Sequence, residues 1–181
     1  PTSTPYRSTS NAVAERQNRV VLEGTRTVLS QSGCPTYWWP YAGHHFCFSR
    51  NITPHPITNV SPFKKRYPKR KDFDGLRLPF GCAVDFRSPD HVLKEMGKFD
   101  EQSLPGLFLG YKVPPGGIWG KEYYVAWLKD FEEDTPHVSV YTVREIYRDP
   151  KAAFEFPLAE AALVHKRVVR RFKGDKKAYL L

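Results

Sequence analysis

The chain has 181 residues, with 28 Lys and Arg against 19 Asp and Glu, a net charge of +9 and a pI near 9.5. Hydrophobic residues make up 40% and aromatics 14%, enough for a core, while 16 prolines and a mean hydropathy of -0.53 put part of the chain outside it. No run approaches the roughly 18 apolar residues of a membrane-spanning helix, and no basic-then-apolar leader opens the sequence. A soluble, non-secreted protein is therefore expected. Proline stands first, so a processed product or an excised fragment is expected. The charge makes an anionic partner, nucleic acid foremost, the leading expectation. Cys34, Cys47 and Cys82 form no CxxC pair, which fits a reducing compartment better than a disulfide framework.

Residues 1–12 are rich in Pro, Ser and Thr and read as an extended entry. From Val13 the pattern turns helical: Val13, Val21 and Val28, with Ala14, Val20 and Leu29, return at helical steps. Ser10 or Asn11 can cap the start and Gly33 suits the stop. A second helix is expected from about Tyr37 to Arg50, anchored by Trp38, Trp39, Ala42 and Phe46, with Pro40 tolerated in its first turn. Residues 51–80 carry prolines at 54, 56, 62, 68 and 79 and six cations within 64–71, and read as a connector with at most short structure. Strand signals follow at Gly81–Arg87, Leu107–Lys112, Glu122–Leu128 and Val138–Ile146, with Pro114-Pro115-Gly116-Gly117 as a turn. Four or five short strands in this span suit a small barrel. The tail from Lys151 opens with an Ala-rich, helix-compatible piece and holds eight Lys/Arg against three acids.

The most informative stretch is Asn11-Ala12-Val13-Ala14-Glu15-Arg16-Gln17-Asn18-Arg19. By itself it is a helix-start glutamate favoured by the helix dipole and flanked by arginines. It resembles the Asn-Gly-x-x-Glu-Arg-x-Asn signature of copia-type retrotransposon integrases, with Pro5-Tyr6 upstream as in that family. Further similarity follows in order: Gly24-Thr25-Arg26-Thr27-Val28-Leu29, Gly33 to Trp39, Ser61-Pro62-Phe63, Leu78 to Cys82, Lys98-Phe99-Asp100 and Gly106 to Tyr111. Two departures stand out. The family's Asn-Gly is Asn11-Ala12 here, and Val143-Arg144-Glu145-Ile146 differs from its Arg-Asp-Val-x-Phe.

The resemblance implies an α+β chain: two helices ending an RNase H-like core (1–52), a basic Pro-rich connector (53–77), a small SH3-like β-barrel (78–149) and a basic tail (150–181). It implies that Glu15 is the third carboxylate of a site whose two aspartates lie upstream, binding Mg2+ or Mn2+ in the intact enzyme for phosphoryl displacement. The chain alone is then expected to be inactive, with no cofactor of its own. Asn18 and Arg19, one turn on, and Arg16 are the expected DNA contacts near Glu15. Lys64, Lys65, Arg66, Lys69, Arg70 and Lys71, with Arg170 and Arg171 in the tail, are the expected phosphate contacts. Expected partners are the element's DNA ends, target DNA and other integrase protomers, in the nucleus or in a cytoplasmic particle before import. The alternative is a decayed or repurposed DNA-binding or interaction module without catalysis.

Other clusters carry a structural reading beside the functional one. His44-His45 with Cys47 lacks a second ligand pair at zinc spacing and suits helix packing. Lys64–Lys71 reads equally as a phosphate or nuclear-import patch and as a solvated connector. Tyr123, Tyr124 and Trp127 fit core packing better than base stacking, and Asp130, Glu132, Glu133 and Asp134 read as a solvated acidic loop.

Overall fold

A computed structural model describes residues 12–87, 99, 101–132 and 138–164. Helix α1 (Ala12–Ser32) stops at Gly33, which adopts φ 68° and donates its N–H to the Leu29 carbonyl at 3.1 Å. The expected cap at Ser10 or Asn11 lies outside the described residues. Val20, Val21, Val28 and Leu29 are half-buried, but Val13 is 78% exposed, so the anchor expected there packs on nothing described. The buried positions of α1 are polar instead, Thr25 and Ser32. Each is satisfied within the helix, Thr25 Oγ1 donating to Val21 O and Ser32 Oγ to Leu29 O. Small residues at this crossing let the helices approach closely, since a Cβ on Gly24 would fall 2.2 Å from the Phe46 ring.

A 3-10 turn (Thr36–Trp38) leads into α2 (Trp39–Ile52). Pro40 sits in the first turn of α2, where no helical N–H is required. Ala42, His45, Phe48 and Ile52 form its buried stripe at helical spacing. The connector contains one short helix, α3 (Pro62–Arg66), and both α1 and α3 pack on α2.

The sheet comprises β1 (Ala83–Arg87), β2 (Ser103–Tyr111), β3 (Tyr123–Trp127), β4 (Val140–Val143) and β5 (Ile146–Tyr147). Its order is β4-β3-β2-β1-β5, antiparallel throughout, with Ala83 opposite Leu107, Ala126 opposite Leu107 on the other side, and Asp85 opposite Tyr147. The single strand expected over Val138–Ile146 is two strands, on opposite edges of the sheet. Only Arg144 and Glu145 separate them. In a flat sheet the outer strands would lie roughly 19 Å apart, whereas the three peptide units from Val143 to Ile146 reach about 11 Å at most. The sheet must therefore coil. Phe86 of β1 accordingly stacks on Tyr141 of β4, with centroids 5.8 Å apart, across the two strands between them. Among the described residues no strand pairing joins β4 to β5, so the sheet is coiled but open.

Side chains of β2 alternate between two apolar clusters. Leu104, Phe108 and Tyr111 join Phe73, Val84, Phe86, Tyr123 and Val125 inside the coil. Leu107 and Leu109 face the other way, with Phe80 and Ala126 against Trp38 and Ala42. Helices and sheet thus share an apolar interior. After β5, Glu155 O accepts from Ala83 N at 2.9 Å, and a helix runs over 157–164. Lys129–Glu132 forms a single helical turn, α4.

Candidate nucleic-acid interface

The basic connector is a closed loop. Ser61 is fully buried and caps α3: its Oγ accepts from Lys64 N at 3.0 Å and donates to Asp72 Oδ1 at 2.8 Å. Asp72 Oδ1 also accepts from Phe73 N at 2.8 Å. That N–H, the Ser61 hydroxyl and the nearby Arg77 and Lys64 charges hold the Asp72 carboxyl below its ordinary value. One serine–aspartate bond therefore ties the two ends of the segment 61–72 together.

Inside the loop, Lys64 Nζ donates to the carbonyls of Pro68 and Arg70. Its ammonium organises the loop, while Lys65, Arg66, Lys69, Arg70 and Lys71 stand exposed around it. A third tether runs from Tyr67 Oη to Gly116 O of the β2–β3 turn, at 2.8 Å. Five exposed cations on a pinned loop can contact successive phosphates without first ordering the backbone.

On α1, Glu15, Arg16, Asn18 and Arg19 are all exposed. Helix geometry sets Asn18 and Arg19 on the same face as Glu15. Among the described residues no group of three or more His, Cys, Asp or Glu side chains could hold a metal ion. Glu15, a single solvated carboxylate, does not make a metal site with the residues described. Arg170 and Arg171 lie outside the described residues.

In the remaining clusters some side chains are buried, while His44 and Cys47, expected to pack, are exposed. His45 is buried, ringed by Phe80, Phe108 and Tyr111, and shares a 3.2 Å hydrogen bond with Ser49 Oγ. Its Nδ1 has no partner among the described residues. Burial, with the His44 charge adding to it, pushes its pKa down to about 4. Burial raises the Cys34 thiol to about 11, against the Ser32 hydrogen bond, and the Cys82 thiol to about 12. Cys47 is exposed. Tyr123 is buried, while Tyr124 and Trp127 are half-buried, with Lys129 Nζ 5.4 Å from the Trp127 ring centroid. Asp130 departs from the solvated loop expected of it: it is 8% exposed, and its Oδ2 accepts from Ser139 N at 2.6 Å. Joining α4 to the residue before β4 withdraws that carboxylate from solvent.

Sequence reasoning missed Tyr67. It directly follows three consecutive cations, but its role depends on a contact 49 positions away.

The chain is 34% identical over 113 residues to the retrovirus-related Pol polyprotein from transposon RE1 of Arabidopsis thaliana, a match covering 62% of the chain. It is 34% identical over 103 residues, 56% of the chain, to the corresponding polyprotein from transposon TNT 1-94 of Nicotiana tabacum. It is 31% identical over 131 residues, 72% of the chain, to the transposon Ty1-DR6 Gag-Pol polyprotein of Saccharomyces cerevisiae. The chain is related to retrotransposon Pol polyproteins. The matched region spans 7% of the length of each of these three relatives. No protein-family profile matches the chain, and no solved structure does.

Proposed function

We propose that this chain is the integrase-derived part of a copia-type Pol polyprotein and that it binds DNA through the loop 61–72. The observation that carries the reading is the loop itself, with five exposed cations on a backbone pinned by Ser61 and Asp72. Relatedness to Pol polyproteins supports it, as do the residues around Glu15 that resemble the integrase signature. The strand order, with β5 returning beside β1 and the sheet coiled around Phe86 and Tyr141, supports an SH3-like reading of the sheet. In this reading Glu15 belongs to a divalent-metal site completed by two aspartates upstream of residue 1, so strand transfer is a property of a longer protein. A metal bound there would stabilise charge on phosphoryl oxygens. DNA ends and target DNA are the partners, other integrase protomers join the assembly, and the work is nuclear.

Duplex binding by the chain tests this. With about four phosphates neutralised, log K should fall against log salt with a slope of roughly -4. Exchanging the base sequence at constant length should change affinity little, because phosphate contacts position without specifying. Absent or salt-insensitive duplex binding would contradict the proposal.

A further inference from the structure

Between α2, α3 and the β2–β3 turn lies a cavity of about 270 Å³. His44, Cys47, Phe48 and Asn51 form one wall, at successive turns of α2. Phe63, Arg66 and Tyr67 form the other. The second wall is an aromatic one carrying a cation. The Phe63 and Tyr67 rings are 5.3 Å apart, and the Arg66 guanidinium lies 5.5 Å from the Tyr67 ring centroid. Tyr67 is held at its far end by the bond to Gly116 O, which fixes where the ring lies before any ligand arrives. His44 and Asn51 are exposed, and no hydrogen bond of their side chains is seen among the described residues. Donors and acceptors therefore face a tethered aromatic wall, and the exposed cation Arg66 stands at its rim.

We infer that this cavity binds one unpaired nucleotide of a DNA strand. Its base would pack against Tyr67 and Phe63, its edge would meet Asn51 and His44, and its phosphate would meet Arg66. The inference rests on the nucleic-acid reading above and adds a preference for single-stranded DNA that the exposed cations alone do not give. A duplex keeps its bases stacked and paired, so it can reach the rim but not the wall. A cavity of this size takes one base with its sugar, so the effect belongs to a single nucleotide.

Cys47 is a built-in reporter. It lines the cavity and is exposed, whereas Cys34 and Cys82 are buried with raised thiol pKa values, so a maleimide should label Cys47 first. The experiment uses the full chain with a single-stranded oligonucleotide and a duplex of equal length, each at saturating concentration. Single-stranded DNA should slow Cys47 labelling at least about fivefold, and duplex should slow it less than twofold. In binding assays, Tyr67→Leu should weaken single-stranded binding at least about fivefold more than it weakens duplex binding, the loss expected of one stacked base, since loss of the tether to Gly116 acts on both.

Equal protection by both DNAs, or by neither, overturns the cavity assignment, as does a Tyr67→Leu chain that loses affinity for both equally or for neither. If Tyr67→Leu fails to fold, the labelling of the unmodified chain decides alone. Salt-dependent duplex binding without selective protection refutes the nucleotide cavity and leaves the loop reading standing. Absence of binding to either DNA refutes both.

Discussion

Three residues carry separable consequences. Glu15 is exposed and stands on a helix face with Asn18 and Arg19. In a full-length parent polyprotein, Glu15→Gln should abolish strand transfer while leaving DNA binding within about twofold, and Arg19→Ala should weaken binding of the element's DNA ends. Wild-type joining rates for Glu15→Gln would mean that the catalytic glutamate is elsewhere. The 181-residue chain itself should neither nick nor join DNA with Mg2+ or Mn2+, and a metal-dependent activity lost in Glu15→Gln would refute this. His45 gives a prediction for stability. Its ordinary pKa is 6.5 and its folded value about 4, so the unfolded chain binds the extra proton. Stability is then fully present above pH 6.5 and is lost as the pH falls toward 4. Between pH 7 and 5 the loss should be about 2 kcal/mol. Urea denaturation at both pH values measures it, and His45→Phe should remove most of the dependence; equal pH dependence in the two chains would show that another group is responsible. His45 packs as the second helix suggested. Its burial against Tyr111 was not legible, because the sheet that covers it lies some 60 positions further on.

At the level of elements, the loop 61–72 depends on a local cap and a closing bond sharing one hydroxyl. Ser61→Ala removes both and should destabilise the chain by about 1–2 kcal/mol, the usual cost of losing such a cap. Proteolysis should then cut first between 64 and 71. A protection pattern matching the wild-type chain would show that the loop is held by something else. Helices α1 and α2 were legible from apolar residues at helical steps, and β1 and β3 from short apolar runs; β2 was read only from Leu107, because Pro105 and Gly106 disguise its first residues, Ser103 to Gly106. The break between β4 and β5 was not legible. Val143-Arg144-Glu145-Ile146 continues the alternation with no Gly or Pro, and the chain leaves the sheet there because the sheet coils, which is a property of all five strands together. Thr25 and Ser32 were hidden for a related reason. They are polar, and they lie close against glycines far off in sequence, Thr25 against Gly43 of α2 and Ser32 against Gly81.

At the scale of the molecule, basic charge and an apolar interior are set apart. Helices and the coiled sheet enclose Trp38, Phe86, Phe108 and Tyr111, while the cations of the loop stay outside on a scaffold tied to Gly116 and Asp72. Net charge alone pointed to an anionic partner. It could not say which cations stand free, since Lys64 turns inward onto two carbonyls. The most direct test is a salt titration of duplex binding by the whole chain and by a variant with Lys65, Arg66, Lys69, Arg70 and Lys71 changed to Gln. If the loop carries the contacts, the slope of log K against log salt should shrink from roughly -4 to about -1, with affinity near 100 mM salt falling at least about a hundredfold. Slopes that agree within error would contradict it, and the DNA-binding surface would have to lie elsewhere in the chain.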